Sequence, residues 1–223
     1  MADRIFWEYL EELPEQEAAW KEWCCRLTGW HRFNTFYTHY LRVENNRAKF
    51  LECTIPCEHG CPRQIEETSP YDIAAVCIQD KAEPIQLKFR DILIYSLRRE
   101  ALHQALCVSL QVERPSGNVW AEFGSTWYLG DYCDATSQTY CPVYITYRIA
   151  TLTEDISSIY LSHQKPFILM VPTVKNVTPE IQQFMANNNS VLLSMEAELN
   201  MQPDGSFKPK RSISECMKSC NQP

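Results

Sequence analysis

Cys57 and Cys61 are separated by three residues, with His59 between them, Cys53 just upstream and Cys77 further along. Thiolates and imidazoles are the ligands Zn²⁺ takes in a tetrahedral site, and a cysteine pair at a knuckle-like turn between strands is how a zinc ribbon begins. The flanking runs fit such a turn. RAKFLECTI before it and IAAVCI after a polar loop both read as strands, and the second carries Cys77. Four ligands can be assembled from Cys57, Cys61 and Cys77 with Cys53 or His59. A complete ribbon would offer a second pair beside Cys77, and IQDKAEP supplies none. The competing reading is a hairpin whose metal site has decayed, leaving its cysteines as small buried apolar residues. A metal here would be one structural zinc, because neither an open coordination position nor a general base is signalled.

A second set of polar residues falls where an open parallel sheet receives ligands, beyond the carboxyl ends of its strands. These are Arg148, Thr173, Lys175, Asn176 and Glu196. Lys175 shortly precedes a helix start at Thr178-Pro179, where backbone N–H groups and the helix dipole favour an anion. The segment between Asp131 and Asp204 contains no glycine, which excludes dinucleotide and P-loop sites, since both need glycine for backbone to approach phosphate. No H-E-x-x-H, no G-x-S-x-G and no cysteine nucleophile with a base is present, so no catalytic residue is assigned. Glu196 and Glu198 on one side of the last strand, with Lys175 near, are the best case for a divergent metal-dependent nuclease or hydrolase.

The aromatic residues form a third set. Over residues 3–13, Ile5, Phe6, Tyr9, Leu10 and Leu13 share one helical face, and Pro14 closes the helix. Over residues 15–28, Trp20, Trp23, Cys24 and Leu27 repeat the spacing. Helices this short need burial to be stable. Either they pack on their own domain, the commoner case, or Phe6, Trp7, Trp20 and Trp23 form a docking face of the kind aromatic hot spots make.

The elements that must position these groups are clearest over residues 141–202. CPVYITYRI, KPFILMVPT and SVLLSMEAEL are apolar runs separated by two helical patterns, a β-α-β-α-β unit with parallel strands. Thr151-Leu152-Thr153-Glu154 has the form of a capping box, and Thr178-Pro179 that of an N-cap followed by proline at the first helical position. The expected fold is α/β, mixed α+β overall. An aromatic-rich helical segment (1–44) precedes a cysteine-bearing, zinc-ribbon-like or degenerate β insert (45–83) and a mixed strand/helix segment (84–140). A Rossmann-like unit (141–202) and a flexible tail (203–223) complete the chain.

The totals narrow the function. The formal net charge is −7, which opposes binding to a phosphate backbone, and Arg98 with Arg99 makes too small a basic spot to reverse that. Residues 1–16 lack the charged and apolar regions of a secretory signal, and no apolar run approaches the ~20 residues that span a bilayer. Eleven cysteines without a signal point to reduced thiols in the cytoplasm. The expectation is a non-enzymatic adaptor or regulatory subunit acting through contacts with another protein. A small anionic-ligand sensor using the strand-end crevice is the first alternative and the divergent hydrolase the second.

Overall fold

A computed structural model of the chain describes residues 2–27, 29–52, 62–79, 82–114, 122–134 and 138–220. It is a mixed α/β protein whose backbone divides into two compact units, one of residues 1–12 with 99–223 and the other of residues 13–98. Residues 84–140 therefore contribute to both units, as do residues 1–44.

Chain order begins in the first unit with α1 (Ala2–Glu12). Of the stripe read from the sequence, Phe6, Tyr9, Leu10 and Leu13 are buried, and Trp7, which that stripe left out, is 1% exposed as well. Trp7 packs on Phe6 and on Phe207, with ring centroids 4.6 and 5.9 Å away.

The second unit follows. The helix expected over residues 15–28 is shorter, because Glu15 and Gln16 adopt positive φ (52° and 54°) and break it. Residues 17–19 form strand β1 (Glu17–Ala19), and α2 (Trp20–Arg26) starts only after it. Next come α3 (Phe33–Tyr40), β2 (Leu41–Arg47), β3 (Phe50–Leu51), β4 (Arg63–Ser69), β5 (Asp72–Cys77), β6 (Ile85–Leu87) and β7 (Leu93–Leu97). Strands β1, β7 and β2 make one antiparallel sheet, and β3-β4-β5-β6 make another. Alternation along β5 buries Ile73, Ala75 and Cys77, and Ile73 and Ala75 join Ala19, Leu51, Leu87 and Ile92 in one core cluster. Trp23 is fully buried, with its indole N–H donating to the Tyr95 carbonyl at 3.1 Å. Trp20 is half-buried among Phe33, Tyr37 and Tyr95, and the Arg90 guanidinium lies 3.9 Å over its ring. A docking face of Phe6, Trp7, Trp20 and Trp23 is thus corrected for three of its members: Phe6, Trp7 and Trp23 are core, while Trp20 is half-buried.

The rest of the first unit holds α4 (Arg99–Leu110), β8 (Val112–Glu113), β9 (Glu122–Phe123), β10 (Thr126–Asp134) and β11 (Thr139–Thr146). Then come α5 (Leu152–His163), β12 (Ile168–Val171), α6 (Pro179–Asn187), β13 (Val191–Ser194) and α7 (Met195–Glu198). The chain continues with β14 (Leu199–Met201), β15 (Phe207–Pro209) and α8 (Ile213–Cys220). The β-α-β-α-β segment forms as read: β11, β12 and β13 are neighbours and parallel. Antiparallel β10 extends the sheet, with β8 and β9 paired to β10. Tyr144, Leu169 and Val171 meet Leu152, Ile156 and Ile159 of α5 and Ile181 and Met185 of α6 on one face. All four residues of β12 are buried, as a strand covered on both faces requires.

Two local expectations at helix starts separate. Thr178 caps α6, accepting the Ile181 N–H at 3.5 Å with Pro179 behind it. Thr151 makes no side-chain cap on α5; its hydroxyl bonds Ser125 Oγ at 2.6 Å instead. The mobile tail expected over residues 203–223 is corrected for residues 203–220. β15 pairs with β14, α8 follows, and Phe207, Ile213 and Cys216 are buried. Among the described residues no helix is long and apolar enough to cross a membrane.

Candidate functional site

The sequence placed a polar loop between Cys61 and IAAVCI, and the structure places strand β4 there instead. RQIEETS escapes a strand reading because most of its side chains face water. Its first residue, Arg63, pairs with Leu51 on one side and Cys77 on the other. Pleat alternation puts it on the same face as Ile65, toward the core, where it is 1% exposed. Cys77 and Ala75 are small, and that leaves room for a guanidinium where a larger neighbour would fill the space.

Arg63 is only partly satisfied there. Nη1 donates to the Glu83 carbonyl at 2.8 Å and to the Ala75 carbonyl at 3.3 Å. Nε and Nη2 are buried and have no hydrogen-bond partner among the described residues. A buried guanidinium edge without acceptors is costly, and such exceptions call for an explanation. Arg63 lines a cleft of about 300 Å³ together with Lys21, Glu22, Cys25, Arg26, Leu51, Glu52, Ile85 and Leu87. One wall is α2, and the other is the core face of the β3–β6 sheet.

The charges around the cleft are arranged by hydrogen bonds. Glu22 reaches back to the Ala19 N–H at 3.1 Å, and its other oxygen accepts the Glu52 N–H at 2.9 Å, tying the start of α2 to the end of β3. Burial pushes the Glu22 carboxyl above its ordinary range, and the nearby Glu52 carboxylate adds to that. Its two backbone hydrogen bonds and Arg26 pull the other way. Arg26 is paired with Glu52 at 2.6 Å. The pair is about half exposed and adds little stability, but it neutralises both charges locally. Arg63 and Lys21 are then opposed mainly by Glu22, whose proton burial favours. The cleft thus combines the cationic residues Lys21, Arg26 and Arg63 with apolar side chains, the makeup of a small-molecule site.

The strand-end residues meet a different neighbour. Thr173, 1% exposed, donates its hydroxyl to Glu11 Oε2 at 2.7 Å, and Asn176 Nδ2 donates to Glu11 Oε1. Lys175 Nζ lies 4.0 Å from Glu8 Oε1. The anion that this rim was expected to receive is supplied by α1 itself. Arg148 is exposed at the end of β11, its N–H on Thr146 Oγ1 at 3.1 Å. Glu196 donates its N–H to the Pro172 carbonyl and accepts Lys210 Nζ on its own carbonyl, each at 3.0 Å. Glu196 and Glu198 do not extend the last strand, which ends at Ser194. They lie on the α7 turn, where Glu198 is buried and paired with Arg211.

Of the metal-ligand set, Cys53, Cys57, His59 and Cys61 lie outside the described residues, and Cys77 is buried in β5 opposite Arg63. Among the described residues no group of three or more histidine, cysteine or acidic side chains is placed to hold a metal. Sequence reading missed Arg63 altogether. The signal available was its register: it shares the inward parity of Ile65 in an otherwise polar strand. The chain matches no known protein family, no curated protein and no solved structure.

Proposed function

We propose that the protein is a ligand-responsive regulatory protein that binds a small anionic molecule in the cleft between α2 and the β3–β6 sheet. The observation that carries this reading is Arg63: a 1% exposed guanidinium whose Nε and Nη2 have no partner among the described residues, lining a cleft of about 300 Å³. Lys21 and Arg26 line the same cleft, and an anion seated beside these cations would offset the cost of the buried guanidinium charge. The β-bearing insert enters this reading as the sheet that presents Arg63 rather than as a zinc ribbon. Residues 141–202 enter it as a Rossmann-like unit whose strand-end rim is already engaged by Glu11, which is why the ligand is assigned to the other unit.

The experiment is a thermal-shift and titration screen of the full chain against small mono- and dianions, repeated on Arg63→Gln. Saturable binding by at least one anion, abolished in the folded variant, is the expected result. A wild-type protein indifferent to the whole panel would overturn the reading.

A further inference from the structure

We infer that the rim beyond β12 is a carboxylate-binding site that the chain itself holds closed, with Glu11 of α1 as its internal ligand. An external small carboxylate competes with Glu11 for the same donors, so binding it and seating the last turn of α1 exclude each other. No residue of the α2 cleft takes part, and the inference does not depend on that cleft.

The donors come from the loop that joins β12 to α6. Thr173 Oγ1 donates to Glu11 Oε2 at 2.7 Å, and Asn176 Nδ2 donates to Glu11 Oε1. Each oxygen of one carboxylate therefore has its own side-chain donor, and hydrogen bonds to a charged acceptor are the strong kind. Thr173 is 1% exposed, and its oxygen accepts the Lys175 N–H at 3.3 Å. That bond turns the hydroxyl so that its proton is given to the anion. Lys175 and Asn176 are exposed, so solvent reaches the edge of the grip. The Lys175 ammonium adds positive charge there, 4.0 Å from Glu8 Oε1.

The occupant is poorly placed on its own helix. Glu11 and Glu12 lie in the last turn of α1, which holds no basic residue. The negative end of a helix dipole disfavours a carboxylate there. Glu11 is thus held by the rim's donors against the preference of α1. Phe6 and Trp7 anchor the helix a turn earlier, and helix ends open at low free energy. The last turn can loosen while the rest of α1 stays on its core. The ligand class follows from the occupant: the donors already match a planar group with two oxygens.

The test compares the full-length wild type with Glu11→Ala in formate, acetate, inorganic phosphate and chloride at matched ionic strength. Glu11→Ala deletes the carboxylate and leaves space that formate or acetate can refill. Both should raise the thermal midpoint of Glu11→Ala saturably and well beyond their effect on the wild type, and chloride should not. Adding Thr173→Val should raise the half-saturating concentration by about ten-fold or more, the loss expected for one hydrogen bond to a charged group. In the wild type, acetate should speed amide hydrogen exchange over residues 9–12, the last turn of α1. Should Glu11→Ala not fold, this exchange measurement decides alone. Unchanged exchange would overturn the competition. An equal shift in the wild type, or one that survives Thr173→Val, would place the carboxylate elsewhere and overturn the site. A response to phosphate without the carboxylates would overturn the class.

Discussion

Glu11 accepts the hydroxyl of Thr173 at 2.7 Å, although 162 positions of chain separate them. One carboxylate on α1 thereby organises the loop after β12, since its second oxygen takes Asn176 and Thr173 in turn receives the Lys175 N–H at 3.3 Å.

Removing that carboxylate should be felt as stability. Glu11→Ala strands the buried Thr173 hydroxyl, and urea unfolding should show a loss of about 1–3 kcal/mol. Glu11→Gln keeps an acceptor for Thr173 and should lose less. Equal losses in the two variants would show that the hydrogen bond is not the source of the effect.

A second carboxylate, Asp155, closes the β9–β10 turn onto α5. Its Oδ2 accepts Ser125 N–H at 3.0 Å, Ser125 Oγ at 2.9 Å and Thr126 Oγ1 at 2.8 Å. The adjacent Gly124 has φ +61°, and a Cβ there would lie 2.2 Å from Asp155 Oδ1. Gly124→Ala combines strained backbone with a clash and should cost about 2–4 kcal/mol. Asp155→Ala, which leaves three donors without their acceptor, should cost about as much. Chemical denaturation of both variants checks this, and a loss below about 1 kcal/mol in Gly124→Ala would contradict the close approach.

Acid sensitivity should trace to His103. Its ring stacks on Tyr147 at 6.0 Å between centroids and lies the same distance from Trp127. Burial, helped by Arg99, lowers its pKa from 6.5 to about 3. The unfolded chain therefore binds the proton more readily than the folded one across that interval. Stability is intact above about pH 6.5 and is lost as pH falls toward 3, by on the order of 3 kcal/mol at pH 4.5. His103→Gln should flatten this limb of the stability profile; an unchanged acid limb would assign it to other groups.

Glu22 gives ligand binding a pH dependence of its own. Its carboxyl is raised by burial, so the folded state holds its proton to higher pH than the unfolded state does. That contribution to stability is lost as pH rises through the raised pKa. A bound anion beside Glu22 raises it further, so anion affinity should strengthen as pH falls through the Glu22 titration while the ligand stays ionised. Glu22→Gln should bind with little pH dependence, and a wild-type-like profile in that variant would remove Glu22 from the account.

Local patterns in the sequence carried the fold where contacts are local. The run PFILMV and the Thr178-Pro179 start read correctly because strand burial and helix capping are written within a few residues. The polar strand β4 did not, since only Arg63 and Ile65 mark its inward face and an arginine is not an apolar signal. The aromatic stripes left out Trp7, and they showed that Phe6 and Trp23 would be covered but not by what. That depends on residues far along the chain, as with Trp7 and Phe207. Arg63 as a site was illegible for a related reason: its meaning lies in the donors its neighbours leave unused.

The division of the first unit into residues 1–12 and 99–223 also bears on how the protein is made. On a translating ribosome α1 emerges well before Phe207 and Thr173, its partners, so its Phe6, Trp7 and Leu10 face must wait uncovered through most of synthesis. During that interval its apolar face lacks the cover that residues 99–223 later supply. The second unit has no such delay, because Glu17 pairs with Ser96 and its ladder can close as soon as β7 is released.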